Sequence, residues 1–124
     1  MTSSYSMEGM DLRLKDGVIE LRTQGVRVAG AEKTPAHIFS RIASEIDSSL
    51  ILYDLRDATY DLSELELEEH YRFVARIFKG YRVAYVIHKD QTALAQKACE
   101  AHARLGDAAS HFTSLGAARR WLKR

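Results

Sequence analysis

Apolar and polar residues alternate at the start of the chain. Within residues 12–23, apolar side chains occupy every second position on either side of Asp16-Gly17. Asp-Gly between two alternating runs is the strongest short signal for a β-hairpin, because both turn residues must reach positive φ. The sequence therefore predicts a hairpin. Residues 26–29 either continue its second strand after a bulge at Gly25 or form a separate short strand.

Further along, apolar residues recur three and four positions apart, a spacing that predicts four helices. Thr34-Pro35 begins the first helix with a hydroxyl cap and a proline at the first helical position, and Ser114 caps the last. The apolar faces of the four helices are Ile38, Phe39, Ile42, Ala43 and Ile46; Leu67, Tyr71, Val74, Ala75 and Phe78; Leu94, Ala98, Ala101 and Leu105; and Leu115, Ala118, Trp121 and Leu122.

Apolar segments lie between the predicted helices. Residues 50–55 and 81–87 are nearly all apolar, which is typical of strands covered on both faces, and residues 110–113 form a shorter strand. Strands that alternate with helices predict parallel pairing under helical cover. A chain of 124 residues accommodates one domain, which we assign to residues 10–124. Residues 1–9 are expected to form a flexible tail.

The composition excludes several classes of protein. The net charge is +1, from 18 basic and 17 acidic residues, so no global field attracts nucleic acid or an anionic membrane. No apolar run approaches the ~20 residues that span a bilayer. The only cysteine, Cys99, cannot form an internal disulfide. We therefore expect a cytoplasmic protein without stable membrane insertion and without a nucleic-acid partner.

Four segments resemble a known family. They are "VAGAEKTPAHIF", "LILYDLRDATYD", "RVAYVIHKD" and "FTSLGAARRWL", and with the order of elements they span roughly residues 12–122. This arrangement resembles the STAS domain, and more closely its SpoIIAA-like branch, which is often grouped with the CRAL-TRIO domains. The resemblance implies an α/β (α+β) fold of order β-β-α-β-α-β-α-β-α, with a mixed sheet of four to five strands and helices mainly on one face. It also implies a binding or regulatory role without known catalysis.

The resemblance draws attention to Ser63. In anti-sigma-factor antagonists the central strand leads into Asp-Ser-Ser-Gly, whose first serine is phosphorylated by a partner kinase, and that serine corresponds to Ser63. In this chain the second serine of the motif is Glu64 and the glycine is Leu65. Ser63 followed three residues later by Glu66 is also a capping box, in which each side chain bonds the other residue's backbone N–H. We therefore expect a structural cap rather than a phosphoacceptor.

A second candidate site lies where the predicted parallel strands end. Asp54, Asp57 and Asp61 follow the central strand, and His88 and Asp90 follow the next one. Because ligands bind at the carboxyl ends of parallel strands, these residues form a candidate site at one edge of the sheet. His88 with a carboxylate partner is a candidate general base, which gives the alternative hypothesis of a small enzyme. The five histidines lack metal-ligand spacing, so neither a metal nor a cofactor is predicted.

The SpoIIAA-like branch also implies an apolar ligand site between the sheet and its covering helices. The candidate residues for this pocket are Ile38, Phe39, Ile42, Tyr71 and Phe78. Each of them equally suits an ordinary hydrophobic core, and the volume beneath the first helix distinguishes the two interpretations.

The sequence thus predicts a non-catalytic regulatory module that contacts a protein partner or a small apolar ligand. The alternatives are the small enzyme and a self-assembling protein whose opening hairpin pairs with a second copy as a homodimer.

Overall fold

The structure is a computed structural model that describes residues 4–7, 9–30 and 33–124. The side chains of residues 5, 7, 33–35 and 38 lie outside that description. The elements are β1 (Ser4–Met7), β2 (Met10–Lys15), β3 (Val18–Arg27), α1 (Lys33–Ala43), β4 (Leu50–Tyr60), α2 (Glu64–Ile77), β5 (Arg82–Val86), α3 (Thr92–Arg104), β6 (Ala109–Phe112) and α4 (Leu115–Leu122), with a short 3-10 turn at Lys89–Gln91.

One mixed sheet contains six strands, and their spatial order is their order in the chain. The first three strands pair antiparallel, and β3 to β6 pair parallel. The predicted α/β (α+β) class is confirmed. The sheet has one strand more than expected because Ser4–Met7 pairs with β2, where Ser6 Oγ donates to Asp11 Oδ1 at 2.6 Å. The flexible tail was therefore the wrong prediction for these four residues, which satisfy backbone groups along the outer edge of β2.

The predicted hairpin is confirmed. Lys15 pairs with Val18, and the two turn residues have positive φ angles, 52° at Asp16 and 77° at Gly17. The second strand continues through Arg27, which is the first of the two alternatives for this segment. The irregularity lies before Gly25, however. Arg22 pairs with Asp54 and Gln24 pairs with Asp57, so the extra residue belongs to β4.

The helices divide unequally between the two faces of the sheet, as the resemblance predicted. Helices α1, α2 and α3 cover one face and enclose the main core, whereas α4 lies alone on the other face. The buried residues of the main core include Leu12, Ile19, Leu21, Ile51, Tyr53, Tyr71, Phe78 and Tyr85. The second core is smaller and consists of Val18, Leu52, Ala84, Val86, Ala118 and Leu122.

Helix α4 is held over β5 by an aromatic and cationic contact. The guanidinium carbon of Arg82 lies 3.8 Å from the centre of the Trp121 ring, and Arg82 Nη2 donates to the Trp121 carbonyl at 3.0 Å. Ser114 caps the helix as predicted, because its Oγ accepts from Ala117 N at 3.1 Å. The helix covers Leu52 and Ala84 but leaves the part of this face formed by β1 and β2 open.

The main core contains polar groups that are kept neutral by burial. Tyr85 Oη and His102 Nε2 lie 2.7 Å apart, and both side chains are fully buried. Burial lowers the pKa of His102 to about 4, although the charge of Asp107 opposes the shift. Burial, assisted by the positive charge of Arg27, also lowers the pKa of His70 to about 4. Both imidazoles are therefore neutral at pH 7 in the folded chain.

We expect the free energy of unfolding to fall as the pH is lowered from 7 to 5. The folded pKa of His102 lies below its ordinary value of 6.5, so the unfolded chain takes up a proton in a pH range where the folded chain does not. The stability contribution is complete above pH 6.5 and declines as the pH falls towards 4. Each buried histidine is expected to cost about 1–2 kcal/mol between pH 7 and pH 5, as measured by urea unfolding.

His102→Gln is the matched variant, because glutamine retains a hydrogen-bonding group near Tyr85 but does not titrate. The variant is expected to remove about half of the decrease in the free energy of unfolding that the two histidines cause between pH 7 and pH 5. An unchanged pH dependence in this variant would contradict the assignment of the effect to His102.

Candidate functional site

Strand β4 is longer than the sequence indicates, which changes the position of the acidic residues. Asp54 and Asp57 lie within β4, paired with β3, and only Asp61 follows the strand. The predicted strand ended at Leu55, so the position of Asp57 beyond the strand is wrong, whereas Asp54 lies in the strand as predicted. The strand continues because its polar side chains point to the open face of the sheet while Leu55 and Ala58 point into the core.

Both carboxylates within β4 are paired with arginines. Asp54 accepts from Arg56 Nε at 3.0 Å and Arg56 Nη2 at 2.9 Å. Asp57 accepts from Arg22 Nε at 3.0 Å and from its Nη2. The hydrogen bonds to these carboxylates raise the pKa of both guanidinium groups. Carboxylates held in this way are engaged in the ion pairs of the sheet face, which limits their use as acids or bases.

His88 is placed differently from the acids of β4. Its ring is exposed, and its backbone N–H donates to Gln91 Oε1 at 3.1 Å. Asp61 and Asp90 are exposed as well. Across residues 4–7, 9–30 and 33–124, no hydrogen bond joins the His88 ring to a carboxylate. The same residues contain no group of three or more histidine, cysteine, aspartate or glutamate side chains arranged for a metal ion.

Beyond Asp54, the side chain of Gln91 supplies hydrogen bonds that a neighbouring strand would otherwise give to β4. Strand β5 ends opposite Asp54, so the next residues of β4 have no strand neighbour on that side. The buried Gln91 Nε2 donates to the carbonyl oxygens of Leu55 at 2.7 Å and Ala58 at 3.1 Å. One side chain thereby satisfies two backbone acceptors at the point where β4 passes the end of β5.

Ser63 forms the predicted capping box. Its Oγ accepts from Glu66 N at 3.1 Å, and Glu66 Oε1 accepts from Ser63 N at 2.9 Å. The capping prediction is confirmed. That Ser63 is not a phosphoacceptor stays a prediction, since a phosphate there would lie next to Asp61 and Glu64.

The candidate pocket residues contribute to the packed core. Phe39 and Phe78 are buried, with ring centres 5.0 Å apart in an edge-to-face contact. Tyr71 is buried against Tyr85, and Ile42 packs at the margin of the core. The side chain of Ile38 lies outside the described part of the chain.

A cavity of about 20 Å³ lies beneath α1, lined by Phe39, Phe78, Tyr53 and neighbouring apolar side chains. This volume has room for about one water molecule, whereas pockets for small organic ligands occupy roughly 300 Å³ or more. An apolar ligand here needs a displacement of α1, and its binding stays a prediction.

Exposed apolar side chains gather at the end of the sheet where β3 stops and α2 begins. Within the described residues, four large apolar side chains are strongly exposed, and three of them lie here: Val26 (66%), Val28 (52%) and Leu65 (64%). Between the segment after β3 and the first half of α2 lies a concave surface of about 400 Å³. It is lined by Ala29, Gly30, Leu62, Glu66, Glu69, His70 and Phe73. None of these three apolar residues lines the concave surface, and Val26 alternates with the buried Arg27, so Val26 points to the face of the sheet opposite α2. We call this end of the sheet, with the concave surface and the exposed Val26, Val28 and Leu65, the contact end.

The sequence interpretation did not identify the contact end. Val26 and Val28 were assigned to a strand with no statement about which side chains it exposes. Leu65 was considered only as the residue in place of the glycine of the Asp-Ser-Ser-Gly motif. The helical spacing could have indicated its exposure, because Leu65 does not lie on the apolar face formed by Leu67, Tyr71 and Phe78.

Comparison with solved structures supports the fold. A crystal structure of an anti-sigma factor antagonist from Mycobacterium paratuberculosis matches with a TM-score of 0.61 and 11% identity, over 100% of this chain and 96% of that chain. A crystal structure of an uncharacterized protein from the DUF3478 family, with a SpoIIAA-like fold, from Shewanella loihica PV-4 matches with a TM-score of 0.58 and 12% identity, over 98% of this chain and 92% of that chain.

No family model matches the sequence, and no curated protein matches it. No helix among the described residues is long and apolar enough to cross a membrane. The two structural matches confirm the fold that the resemblance predicted: the chain has the SpoIIAA-like fold.

Ser63→Ala is expected to lower the free energy of unfolding by about 1 kcal/mol, because Glu66 N loses its acceptor. Ser63→Asp is the matched control and is expected to stay close to the parent chain, since aspartate is an equally good cap. Chemical unfolding of the three proteins measures this difference. Equal stability of the alanine variant and the parent chain would contradict the role of the cap.

Gln91→Leu is expected to be more damaging than either of these changes. It removes the donor to two carbonyl oxygens, at Leu55 and Ala58, and an unsatisfied buried acceptor costs about 1–3 kcal/mol. Urea unfolding is expected to give a loss of about 2–4 kcal/mol. Gln91→Glu retains the shape and the acceptor for His88 N but turns a carboxylate oxygen towards the two carbonyl oxygens, so it is expected to lose at least as much stability as Gln91→Leu.

Proposed function

We propose that this chain is a regulatory binding module that acts by contact with another protein and performs no catalytic step of its own. One of the two similar structures is of an anti-sigma factor antagonist, a protein named for its effect on another protein. The fold supports the same class of role for this chain. The ion pairs that engage Asp54 and Asp57, and the separation of the His88 ring from carboxylates, argue against the small-enzyme alternative.

The contact end is the surface that we assign to the partner, and its exposed apolar side chains are the observation that carries the proposal. Val26, Val28 and Leu65 are each more than half exposed at one end of the sheet. Burying a side chain of this size contributes roughly 1.5–3 kcal/mol, so each one that a partner covers adds to the stability of the complex.

The charge of the contact end defines the chemistry of its partner. Residues 61–69 carry five acidic side chains and no basic one. Glu66 and Glu69 line the concave surface itself, beside the apolar Leu62 and Phe73. A protein segment that presents apolar side chains flanked by lysine or arginine is complementary to this surface.

We also propose that the chain is cytoplasmic and that its partner is not a second copy of this chain. The homodimer alternative relied on an exposed strand of the opening hairpin, whereas in the structure β1 pairs with the outer edge of β2. Pairing of two copies therefore involves the outer edge of β1 and leaves the contact end free.

The experiment compares three single variants of the full chain. Leu65→Ser and Val26→Ser alter the contact end, whereas Leu105→Ser alters the fourth exposed apolar residue, which follows α3 elsewhere on the surface. Proteins captured on the parent chain from a lysate of the source cells are identified, purified and titrated against each variant. Both contact-end variants are expected to bind the purified partner at least about tenfold more weakly, and Leu105→Ser is expected to bind unchanged.

Hydrogen exchange of the complex provides the second measurement. Protection of backbone amides is expected in residues 24–30 and 61–70. Equal binding by all three variants, or protection confined to the edge of β1, contradicts the contact end as the interface. An activity of the purified chain that is lost in His88→Ala would instead support the enzyme alternative.

A further inference from the structure

We propose that the open part of the sheet face beside α4 binds a small anion through phosphate or carboxylate groups. This surface, which we call the arginine trough, is a concavity of about 530 Å³. Its lining holds four arginines, which include Arg13 and Arg119, and four carboxylates, which include Glu20 and Asp54. It lies on the face opposite α1 to α3 and is distinct from the contact end and from the cavity beneath α1.

Strand register brings these side chains together. Arg13 of β2 lies opposite Glu20 of β3, which in turn lies opposite Leu52 of β4. One step along the sheet, Arg22 lies opposite Asp54. Because side chains two residues apart share a face, both rows point to the side of the sheet on which α4 packs. The trough begins where the cover of α4 stops, next to Leu52.

Burial separates the positive from the negative groups in depth. The carboxylate-bearing side chains of Glu20 and Asp54 are only 9% and 11% exposed. The side chains of Arg13 and Arg119 are 50% and 37% exposed, and Arg56 is 37% exposed. The carboxylates therefore form the floor of the trough, and the guanidinium groups are presented to the solvent above them.

The end of the trough next to α4 carries an excess of positive charge. Glu20 Oε1 accepts from Arg13 Nε at 3.0 Å and from Arg13 Nη2 at 2.8 Å, and Arg119 Nε donates to Glu20 Oε2 at 3.3 Å. One carboxylate thus faces two guanidinium groups, which leaves one positive charge uncompensated. The other two acids, the half-buried Asp11 and the exposed Asp57, lie towards the other end.

Donors remain available on both of these arginines. A guanidinium group has five N–H donors, and the bonds to Glu20 use Nε and Nη2. In the part of the chain that the structure describes, no acceptor bonds to Nη1 of Arg13 or Arg119. Guanidinium groups held in place by a buried carboxylate are suited to planar, bidentate recognition of an oxyanion.

Size and charge together favour a small ligand. The volume of the trough lies within the range of about 300–1,000 Å³ that accommodates small molecules. The chain as a whole has a net charge of only +1, so no global field attracts a polyanion. Phosphate and carboxylate groups share the chemistry that the arginines recognise, and the experiment separates the two.

The test is a two-dimensional NMR titration of the full chain at low ionic strength with inorganic pyrophosphate and, separately, with citrate. Saturable shifts of backbone amides in β2, β3 and α4 are expected, with a Kd of about 1 mM or tighter for at least one probe. Tighter binding of pyrophosphate indicates a phosphorylated ligand, and tighter binding of citrate indicates a polycarboxylate. Both results support the proposal.

Arg119→Gln and Arg13→Gln are the test variants, and Arg104→Gln is the control because Arg104 is exposed on α3, on the other face of the sheet. Each test variant is expected to bind at least about tenfold more weakly, while the control binds unchanged. Arg13 is on a strand that α4 does not cover, so its variant remains informative if Arg119→Gln displaces the helix. No saturable shift with either probe, or equal binding by all three variants, overturns the proposal.

Discussion

The handedness of parallel crossovers determines how this molecule is layered. Strands β3 to β6 follow one another across the sheet in chain order, and a right-handed connection places each intervening helix on the same face. Three helices therefore share one face, and only α4 is left for the other. One helix is about 10 Å wide, whereas six strands about 4.8 Å apart span about 24 Å. The remainder of the second face must be polar, and the ion pairs Arg13–Glu20, Arg22–Asp57 and Arg56–Asp54 provide the polar surface that this topology requires.

Unequal strand lengths determine the second surface. Strands β3 and β4 run past the end of β5, and an extra residue in β4 maintains their pairing beyond Asp54. The two-stranded extension has no strand beside it and only a partial helical cover, so Val26 stays exposed at its end. Where β5 ends, the side chain of Gln91 donates hydrogen bonds to the carbonyl oxygens of Leu55 and Ala58. Strand β4 therefore extends past β5 without leaving these two acceptors unsatisfied.

Local signals made much of the fold predictable, whereas pairing between distant segments did not. The turn at Asp16-Gly17 and the cap at Ser63 depend on neighbouring residues, so both could be identified from the sequence. The strand Ser4–Met7 depends on an unfilled edge of β2, and the length of β4 depends on its pairing with β3, where Arg22 bonds Asp57. The clustering of Arg13 with Arg119 combines a hairpin with the last helix, and no periodicity within either segment reveals it.

The charge of the whole chain gives no indication of the fields on its surface. A balance of 18 basic and 17 acidic residues excludes a strong global attraction. The fold, however, sorts these residues. Acidic side chains concentrate in the first turns of α2, where the helix dipole favours them, and arginines concentrate beside α4 over carboxylates that are buried beneath them. Two surfaces of opposite local character therefore coexist on a nearly neutral chain.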